Sequence, residues 1–132
     1  MISSESIVRI VLVFVGAGLG GVLRYGIGAL VHRSARSLFP WGTFVINVTG
    51  CFVMGALMFL FEDRGRLSGD QRLFFMVGIL GGYTTFSTYG YEAEALLRDR
   101  EGRLFAAYAG GSLAAGVAAV WAGRLAAGAC GF

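Results

Sequence analysis

The residues best suited to chemistry form one run at positions 81–89, Gly-Gly-Tyr-Thr-Thr-Phe-Ser-Thr-Tyr. This run lies inside residues 73–91, an uncharged stretch of 19 residues that is long enough to cross a bilayer. Because lipid cannot hydrogen-bond free backbone groups, irregular backbone at membrane depth is tolerated only where protein or a watery cavity surrounds it. Selectivity filters and the broken helices of transporters are built in this way. The run therefore predicts a helix broken mid-membrane and a role in moving something small across a membrane.

Polar side chains also lie deep inside the other apolar stretches. Thr43 and Asn47 are four residues apart in one stretch, and Tyr108 and Ser112 have the same spacing in another. Residues with this spacing share one face of a helix. An amide such as that of Asn47 is costly in hydrocarbon, so it must face protein or a pore. Two interpretations stay open: these groups line a pore, or they hydrogen-bond neighbouring helices and hold a bundle together.

Two aromatic rings project from one side of the helix that follows the glycines. Phe86 and Tyr89 are three residues apart, and the hydroxyls of Ser87 and Thr88 lie beside them. The edge of an aromatic ring carries partial positive charge. Two ring edges beside hydroxyls and an amide would form a weakly polar path for a small anion. The alternative interpretation is ordinary aromatic packing.

Two charged residues lie close to the ends of the apolar stretches. Arg24 is about two turns, or roughly 10 Å, before the end of the first predicted helix, and Glu92 follows the aromatic pair. Arg24 would either extend its side chain to the membrane surface or face a water-filled vestibule, where its charge raises the local concentration of anions. For both residues, a simple role as an interfacial anchor stays open.

Composition and length predict a single membrane domain. Hydrophobic residues make up 56% of the 132 residues, and charged residues make up 14%, which is low for a soluble domain. Residues 41–61, 73–91 and 104–123 carry no charge, and residues 7–31 are apolar apart from two arginines. Each stretch approaches the ~20 residues that a spanning helix needs. We predict an all-α, four-transmembrane-helix domain over residues 1–132 in the lipid bilayer, with helices at about 7–31, 41–62, 72–97 and 104–125.

The positive charges give no preferred orientation in the membrane. All 11 Lys and Arg residues are arginine, and with four spans they divide into five on each side, with Arg24 inside the first span. The two sets are Arg9, Arg64, Arg66, Arg72 and Arg124 against Arg33, Arg36, Arg98, Arg100 and Arg103. Because an excess of Arg and Lys marks the cytoplasmic side, a tie predicts that copies insert both ways and pair antiparallel. The alternative is that the N-terminal arm or the order of folding fixes one orientation.

Several other functions find little support in the sequence. A GxGxxG pattern at residues 16–21 lacks the βαβ unit and the later acidic residue of a dinucleotide site. Cys51 and Cys130 show neither a disulfide framework nor the spacing of a metal site. The net charge of +3 is not arranged as a basic stripe, so we expect no nucleic-acid partner. We expect no catalytic residues and therefore no enzyme.

Taken together, these motifs resemble the Fluc (CrcB) family of fluoride channels. The matching segments are Gly-Gly-Val-Leu-Arg-Tyr at 20–25, Trp-Gly-Thr at 41–43, Asn-Val-Thr-Gly at 47–50 and Gly-Gly-Tyr-Thr-Thr-Phe-Ser-Thr at 81–88, with Glu92 beyond. The resemblance covers the whole chain, and the last motif is the most specific. It implies passive export of fluoride through the cell inner or plasma membrane, which reduces fluoride toxicity. It also implies an antiparallel, dual-topology homodimer with two pores, the pairing that the charge tie favours.

The resemblance implies a role for each candidate residue. The fluoride pore would be lined by Asn47, Phe86, Tyr89, Ser87, Thr88, Tyr108, Ser112 and Thr43, with Arg24 and Glu92 in the vestibules. Backbone carbonyls of Gly81 and Thr84 would hold a structural Na⁺ at the dimer centre. Two departures from the family pattern bear on conduction. Tyr89 stands where many relatives have phenylalanine, which affects the expected conduction rate, and Gly116 stands where a third hydroxyl can continue the polar track.

Two other functions fit parts of the sequence. A small proton-coupled multidrug exporter also has four helices and dual topology, but it needs a membrane-embedded carboxylate. The central parts of the predicted spans contain no Asp or Glu. A non-transporting assembly subunit would use the same polar residues only to hold helices together.

Overall fold

A computed structural model describes residues 3–35 and 37–130 of the chain, so Arg36 of the charge tally lies outside the described residues. The described part contains helices and no strand. Its α-helices are α1 Ser4–Ser34, α2 Trp41–Met58, α3 Gly69–Arg72, α4 Gly81–Tyr83, α5 Phe86–Arg98 and α6 Gly102–Ala129. Two π-helical segments continue them, π1 Phe59–Asp63 after α2 and π2 Leu73–Leu80 between α3 and α4. The all-α prediction is confirmed for this part of the chain.

Three helices in the described part have the length and composition to cross a membrane. They are Ser4–Ser34, Trp41–Asp63 and Gly102–Ala129, with mean hydropathies of 2.2, 2.2 and 1.5. The predicted spans at about 7–31, 41–62 and 104–125 fall within them. The predicted span at about 72–97 corresponds to π2 and α4, which are contiguous, and to α5, which begins after a two-residue interruption. The membrane boundaries of all four spans stay predictions.

Helical geometry stops for two residues between α4 and α5. Thr84 and Thr85 are extended, with ψ angles of 160° and 122°. Thr85 is the N-cap of α5, and its Oγ1 accepts a hydrogen bond from the Thr88 amide at 3.3 Å. Threonine is a favoured N-cap because its hydroxyl satisfies an amide that has no partner inside the helix. The hydroxyl run after the glycines therefore starts a new helix.

Glycine allows the helices that flank this interruption to pack closely. A methyl group on Gly20 of α1 would overlap the Ile79 carbonyl and lie 2.8 Å from the Tyr83 amide. A methyl group on Gly55 of α2 would overlap the Val120 carbonyl of α6. Backbone surfaces thus meet directly, which is typical of helix pairs in membranes. α1 consequently lies against π2 and α4, and α2 lies against α6.

The buried core is small and is divided into two clusters. One cluster contains Ile46, Leu80 and Tyr83, and the other contains Ala93, Leu96 and Tyr108. Large apolar side chains cover much of the outer surface, including Phe14 and Trp121. A water-soluble monomer rarely exposes so much contiguous apolar surface. The fold instead suits a chain whose outer surface meets lipid or another copy.

Candidate functional site

The interruption at Thr84 and Thr85 is held by a side chain from α2. Asn47 Nδ2 donates to the Thr85 carbonyl at 3.0 Å, and the Thr85 amide donates to Asn47 Oδ1 at 2.9 Å. One half-buried amide therefore satisfies both backbone groups of an extended residue. Asn47 has a second Nδ2 hydrogen beyond the one used here.

The same interruption separates two backbone carbonyls from their helical donors. In a continuous helix the amides of Thr85 and Thr88 would donate to the carbonyls four residues earlier, those of Gly81 and Thr84. Here the Thr85 amide donates to Asn47, and the Thr88 amide donates to Thr85 Oγ1. The Thr84 carbonyl instead accepts from Arg24 Nη1 at 3.3 Å.

A carboxylate and two hydroxyls meet on the other side of Thr85. Thr43 Oγ1 donates to Glu92 Oε1 at 2.9 Å, and the Tyr108 hydroxyl donates to Glu92 Oε2 at 2.7 Å. Thr43 and Tyr108 are buried, and Glu92 is partly buried. Among the described residues Glu92 forms no salt bridge, and its hydrogen-bond donors are the neutral hydroxyls of Thr43 and Tyr108.

Two clefts flank the interruption. The larger cleft, about 880 Å³, is open and is lined by Arg24, Thr43, Thr85, Thr88 and Glu92 together with the turn between α1 and α2. Arg24 and Glu92 thus face the same space, whose wall also contains Asp99 and Glu101, so its carboxylates outnumber its arginine. Both predicted vestibule residues are brought together here, with Thr43 and Thr88.

The smaller cleft, about 360 Å³, lies between α2, α5 and α6. It is lined by Asn47, Gly50, Cys51, Met54, Leu80, Thr84, Thr85, Phe86, Tyr89, Ser112, Leu113 and Val120, none of them charged. Ser112 Oγ is shielded from solvent and has no hydrogen-bond partner among the described residues. A buried polar atom without a partner is costly. Ser112 thus contributes to the wall of the smaller cleft a hydroxyl that no described residue satisfies.

Aromatic rings form one wall of the smaller cleft. The Phe86 and Tyr89 ring centroids are 5.6 Å apart, and the Tyr89 and Tyr108 centroids are 5.1 Å apart. The Tyr89 hydroxyl donates to the Ala109 carbonyl at 3.3 Å, which ties it to α6. The Phe86 ring is 83% exposed in the single chain. The Tyr89 hydroxyl thus makes a helix contact that a phenylalanine could not make, while the ring lies beside Phe86.

The remaining predicted site residues lie around these clefts. Ser87 is exposed and lines neither cleft, although its Oγ is 3.4 Å from Thr85 Oγ1. Tyr108 is fully buried beneath Glu92 and also lines neither cleft. Two residues were missed. Thr85 lines both clefts and caps α5, and its position at the start of a hydroxyl run was a helix-start signal. Cys51 lines the smaller cleft, and its spacing of four from Asn47 was the only signal.

No group of three or more His, Cys, Asp or Glu residues in the described ranges is arranged to hold a metal ion. A cation at this site would instead depend on backbone oxygens such as those of Gly81 and Thr84. The fold and the site together define a class: helical membrane proteins in which polar clefts flank a discontinuous helix, as in channels and transporters.

Comparison with known proteins identifies the family within this class. A family model described as CrcB-like protein, Camphor Resistance (CrcB), matches residues 11–124. A protein of Thermus thermophilus named fluoride-specific ion channel FluC is 48% identical, over 83% of this chain and 86% of its own length. Proteins with the same name from Nitratidesulfovibrio vulgaris and Methylobacterium nodulans are 41% and 48% identical, over 87% and 84% of this chain and 93% and 89% of their own lengths. The chain belongs to the CrcB family.

Proposed function

We propose that this protein is a fluoride-selective ion channel that lets fluoride leave the cell passively. The names of its relatives support this function, since each is called a fluoride-specific ion channel. In the structure, the observation that supports it best is the smaller cleft, where a free Ser112 hydroxyl, the Asn47 amide and two rings surround an uncharged space. A channel of this kind is a transport protein and not an enzyme.

The chemistry of the smaller cleft suits a small anion that holds its water strongly. Fluoride must lose part of its hydration shell, and donors in the wall must replace those hydrogen bonds. The Ser112 hydroxyl and the second Nδ2 hydrogen of Asn47 are the available donors. The edges of Phe86 and Tyr89 add weak positive potential. Because no charged side chain lines this cleft, binding is weak enough for the ion to leave again, as conduction requires.

The larger cleft fits the role of a vestibule. Arg24 would attract anions toward the narrow part, against the carboxylates of Glu92, Asp99 and Glu101 that line the same cleft. The Glu92 carboxylate takes up the hydroxyls of Thr43 and Tyr108. An anion that follows these hydroxyls must compete with Glu92 for them. Thr85 lines both clefts, which marks it as the boundary between vestibule and narrow part.

We propose further that the channel is an antiparallel homodimer of dual topology with two pores in the cell inner or plasma membrane. Phe86 is 83% exposed and Tyr25 is 80% exposed in the single chain. A ring at the mouth of a pore needs a second wall, and another copy would provide it. The five-to-five division of arginines gives insertion no preferred direction, which supports head-to-tail pairing.

A structural Na⁺ at the centre of this dimer is also a proposal. The carbonyls of Gly81 and Thr84 suit a Na⁺ ion, because the interruption removes their helical donors and hard cations prefer oxygen ligands. A two-fold axis would bring the same two carbonyls from the partner. Arg24 now donates to the Thr84 carbonyl, so it must turn away to make room for the ion. The bound ion would supply positive charge between two sets of carbonyl dipoles.

The experiment that tests the function is fluoride efflux from liposomes that contain the purified protein. We expect rapid fluoride loss and little chloride loss. Phe86→Ile should abolish fluoride efflux while the oligomer survives, because Phe86 lines the smaller cleft. Phe14→Ile, a change at an exposed ring outside both clefts, is the matched control and should leave efflux unchanged. Drug flux driven by a proton gradient, without fluoride efflux, would favour the exporter, and no flux of either kind would favour the assembly subunit.

A further inference from the structure

The contact between Asn47 and Thr85 occurs at the residue where the backbone hydrogen-bond pattern of the helix ends. One residue earlier, the Thr84 amide still donates to the Leu80 carbonyl at 2.9 Å, as in a continuous helix. The next amide, that of Thr85, would donate to the Gly81 carbonyl if the helix continued. It donates to Asn47 Oδ1 instead.

The second half of the contact makes this replacement complete. Asn47 Nδ2 donates to the Thr85 carbonyl, so the side-chain amide pairs with both backbone groups of one residue. Extended backbone at Thr85 is therefore fully satisfied without a helix. A shorter or apolar side chain at position 47 would leave the Thr85 amide without this partner, and the Gly81 carbonyl is the acceptor that a continuous α-helix would give it.

We propose that Asn47 is a positioning residue that keeps the helix open by capturing the Thr85 amide, and that it thereby keeps the Gly81 carbonyl free. This role differs from contact with a permeating ion. The proposal rests on the proposed function only in taking the Gly81 carbonyl as a ligand of a cation. Contact with fluoride alone would not explain why Asn47 pairs with both the amide and the carbonyl of Thr85.

The proposal predicts a backbone change that can be measured without any transport. In Asn47→Ala, the Thr85 amide should return to the Gly81 carbonyl, and the ¹³Cα chemical shifts of Thr84 and Thr85 should move from extended toward helical values. In Phe86→Ile, which alters the cleft wall and leaves the hydrogen bonds between Asn47 and Thr85 in place, both chemical shifts should stay at extended values. Extended shifts at both threonines in Asn47→Ala would overturn the proposal.

Two further variants separate the pairing of Asn47 with Thr85 from any contact of Asn47 with an ion in the pore. Asn47→Asp keeps an acceptor for the Thr85 amide and loses the donor to the Thr85 carbonyl. Thr85 should stay extended if capture of its amide holds the helix open, and fluoride efflux should be lost because the carboxylate repels an anion. Should Asn47→Ala fail to fold, Asn47→Gln serves in its place, because its extra methylene moves the amide out of register with Thr85. Helical ¹³Cα shifts at Thr84 and Thr85 are expected in Asn47→Gln, and extended shifts there would contradict the positioning role of Asn47.

Sodium dependence provides a readout that is independent of fluoride efflux. If the Gly81 carbonyl is a cation ligand, Asn47→Ala should need more Na⁺ than the wild type for protection against thermal unfolding, whereas Phe86→Ile should need the same amount. An identical Na⁺ requirement in all three proteins would overturn the link between Asn47 and the Gly81 carbonyl. A wild type without fluoride efflux would refute the proposed function and leave the chemical-shift test intact.

Discussion

The close approach of α1 to the interrupted helix predicts a large effect from one methyl group. An alanine Cβ at position 20 would lie 2.8 Å from the Tyr83 amide nitrogen and closer still to the Ile79 carbonyl oxygen, whereas ordinary contacts begin at 3.4 Å. Both neighbours are backbone atoms, which cannot turn aside as a side chain can. α1 must move away by roughly an ångström, and overpacking of this kind costs about 1–3 kcal/mol.

The displacement should also affect the site, because Arg24 lies one turn beyond Gly20 on α1. A shift of α1 would lengthen the 3.3 Å contact between Arg24 and the Thr84 carbonyl. We therefore expect Gly20→Ala to unfold more easily by about 2 kcal/mol and to conduct more slowly. The measurements are reversible unfolding in mixed micelles with increasing dodecyl sulfate and fluoride efflux from liposomes.

Gly18→Ala is the matched control, because a methyl group there meets nothing within 4 Å. Alanine is a better helix former than glycine by about 0.8–1.0 kcal/mol, so this variant should be as stable as the wild type or slightly more stable. Equal unfolding midpoints for Gly20→Ala and Gly18→Ala would refute the backbone contact. Equal efflux with a lower midpoint would refute only the link to Arg24.

Three further predictions concern the two clefts. Thr43→Val removes one of the two donors to the Glu92 carboxylate and should destabilise the protein by about 1–2 kcal/mol in the same unfolding assay. Hydrogen bonds to charged groups contribute about 1.5–3 kcal/mol, and water in the larger cleft replaces part of the loss. An unchanged unfolding midpoint would contradict this prediction. Ser112→Ala removes an unpartnered hydroxyl, so it should slow fluoride efflux without loss of stability, and normal efflux would exclude this hydroxyl from the path. With Cys130→Ser as the background, a small methylthiolating reagent should add one group per chain, at Cys51, and block efflux; efflux that survives full labelling would place Cys51 off the path.

The existence of an interruption could be predicted from local sequence. Two glycines weaken the helix, and the hydroxyl of Thr85 is available to cap a new one. Both effects act within a few residues, so the run at 81–89 was sufficient. The close helix contact at Gly20 was also within reach, because small residues four apart indicate tight packing.

The partners of the polar side chains could not be predicted, because they are distant in the sequence. Sequence reasoning required a partner for Asn47 and for Tyr108 but could not choose between a pore and another helix. The structure pairs Asn47 with a residue 38 positions away and Tyr108 with a residue 16 positions away. These pairings depend on how α2, α5 and α6 cross, which the spacing of residues within one helix does not determine.

The hydrogen bonds divide the polar residues into two groups with different roles. Thr43 and Tyr108 are bound to Glu92, and Asn47 is bound on both sides to Thr85, so the donors they use there cannot also bind an ion in this arrangement. Ser112 and the second Nδ2 hydrogen of Asn47 are the donors left for an ion in the smaller cleft. Loss of a bound donor should therefore alter the fold first, whereas loss of the Ser112 hydroxyl should alter transport alone.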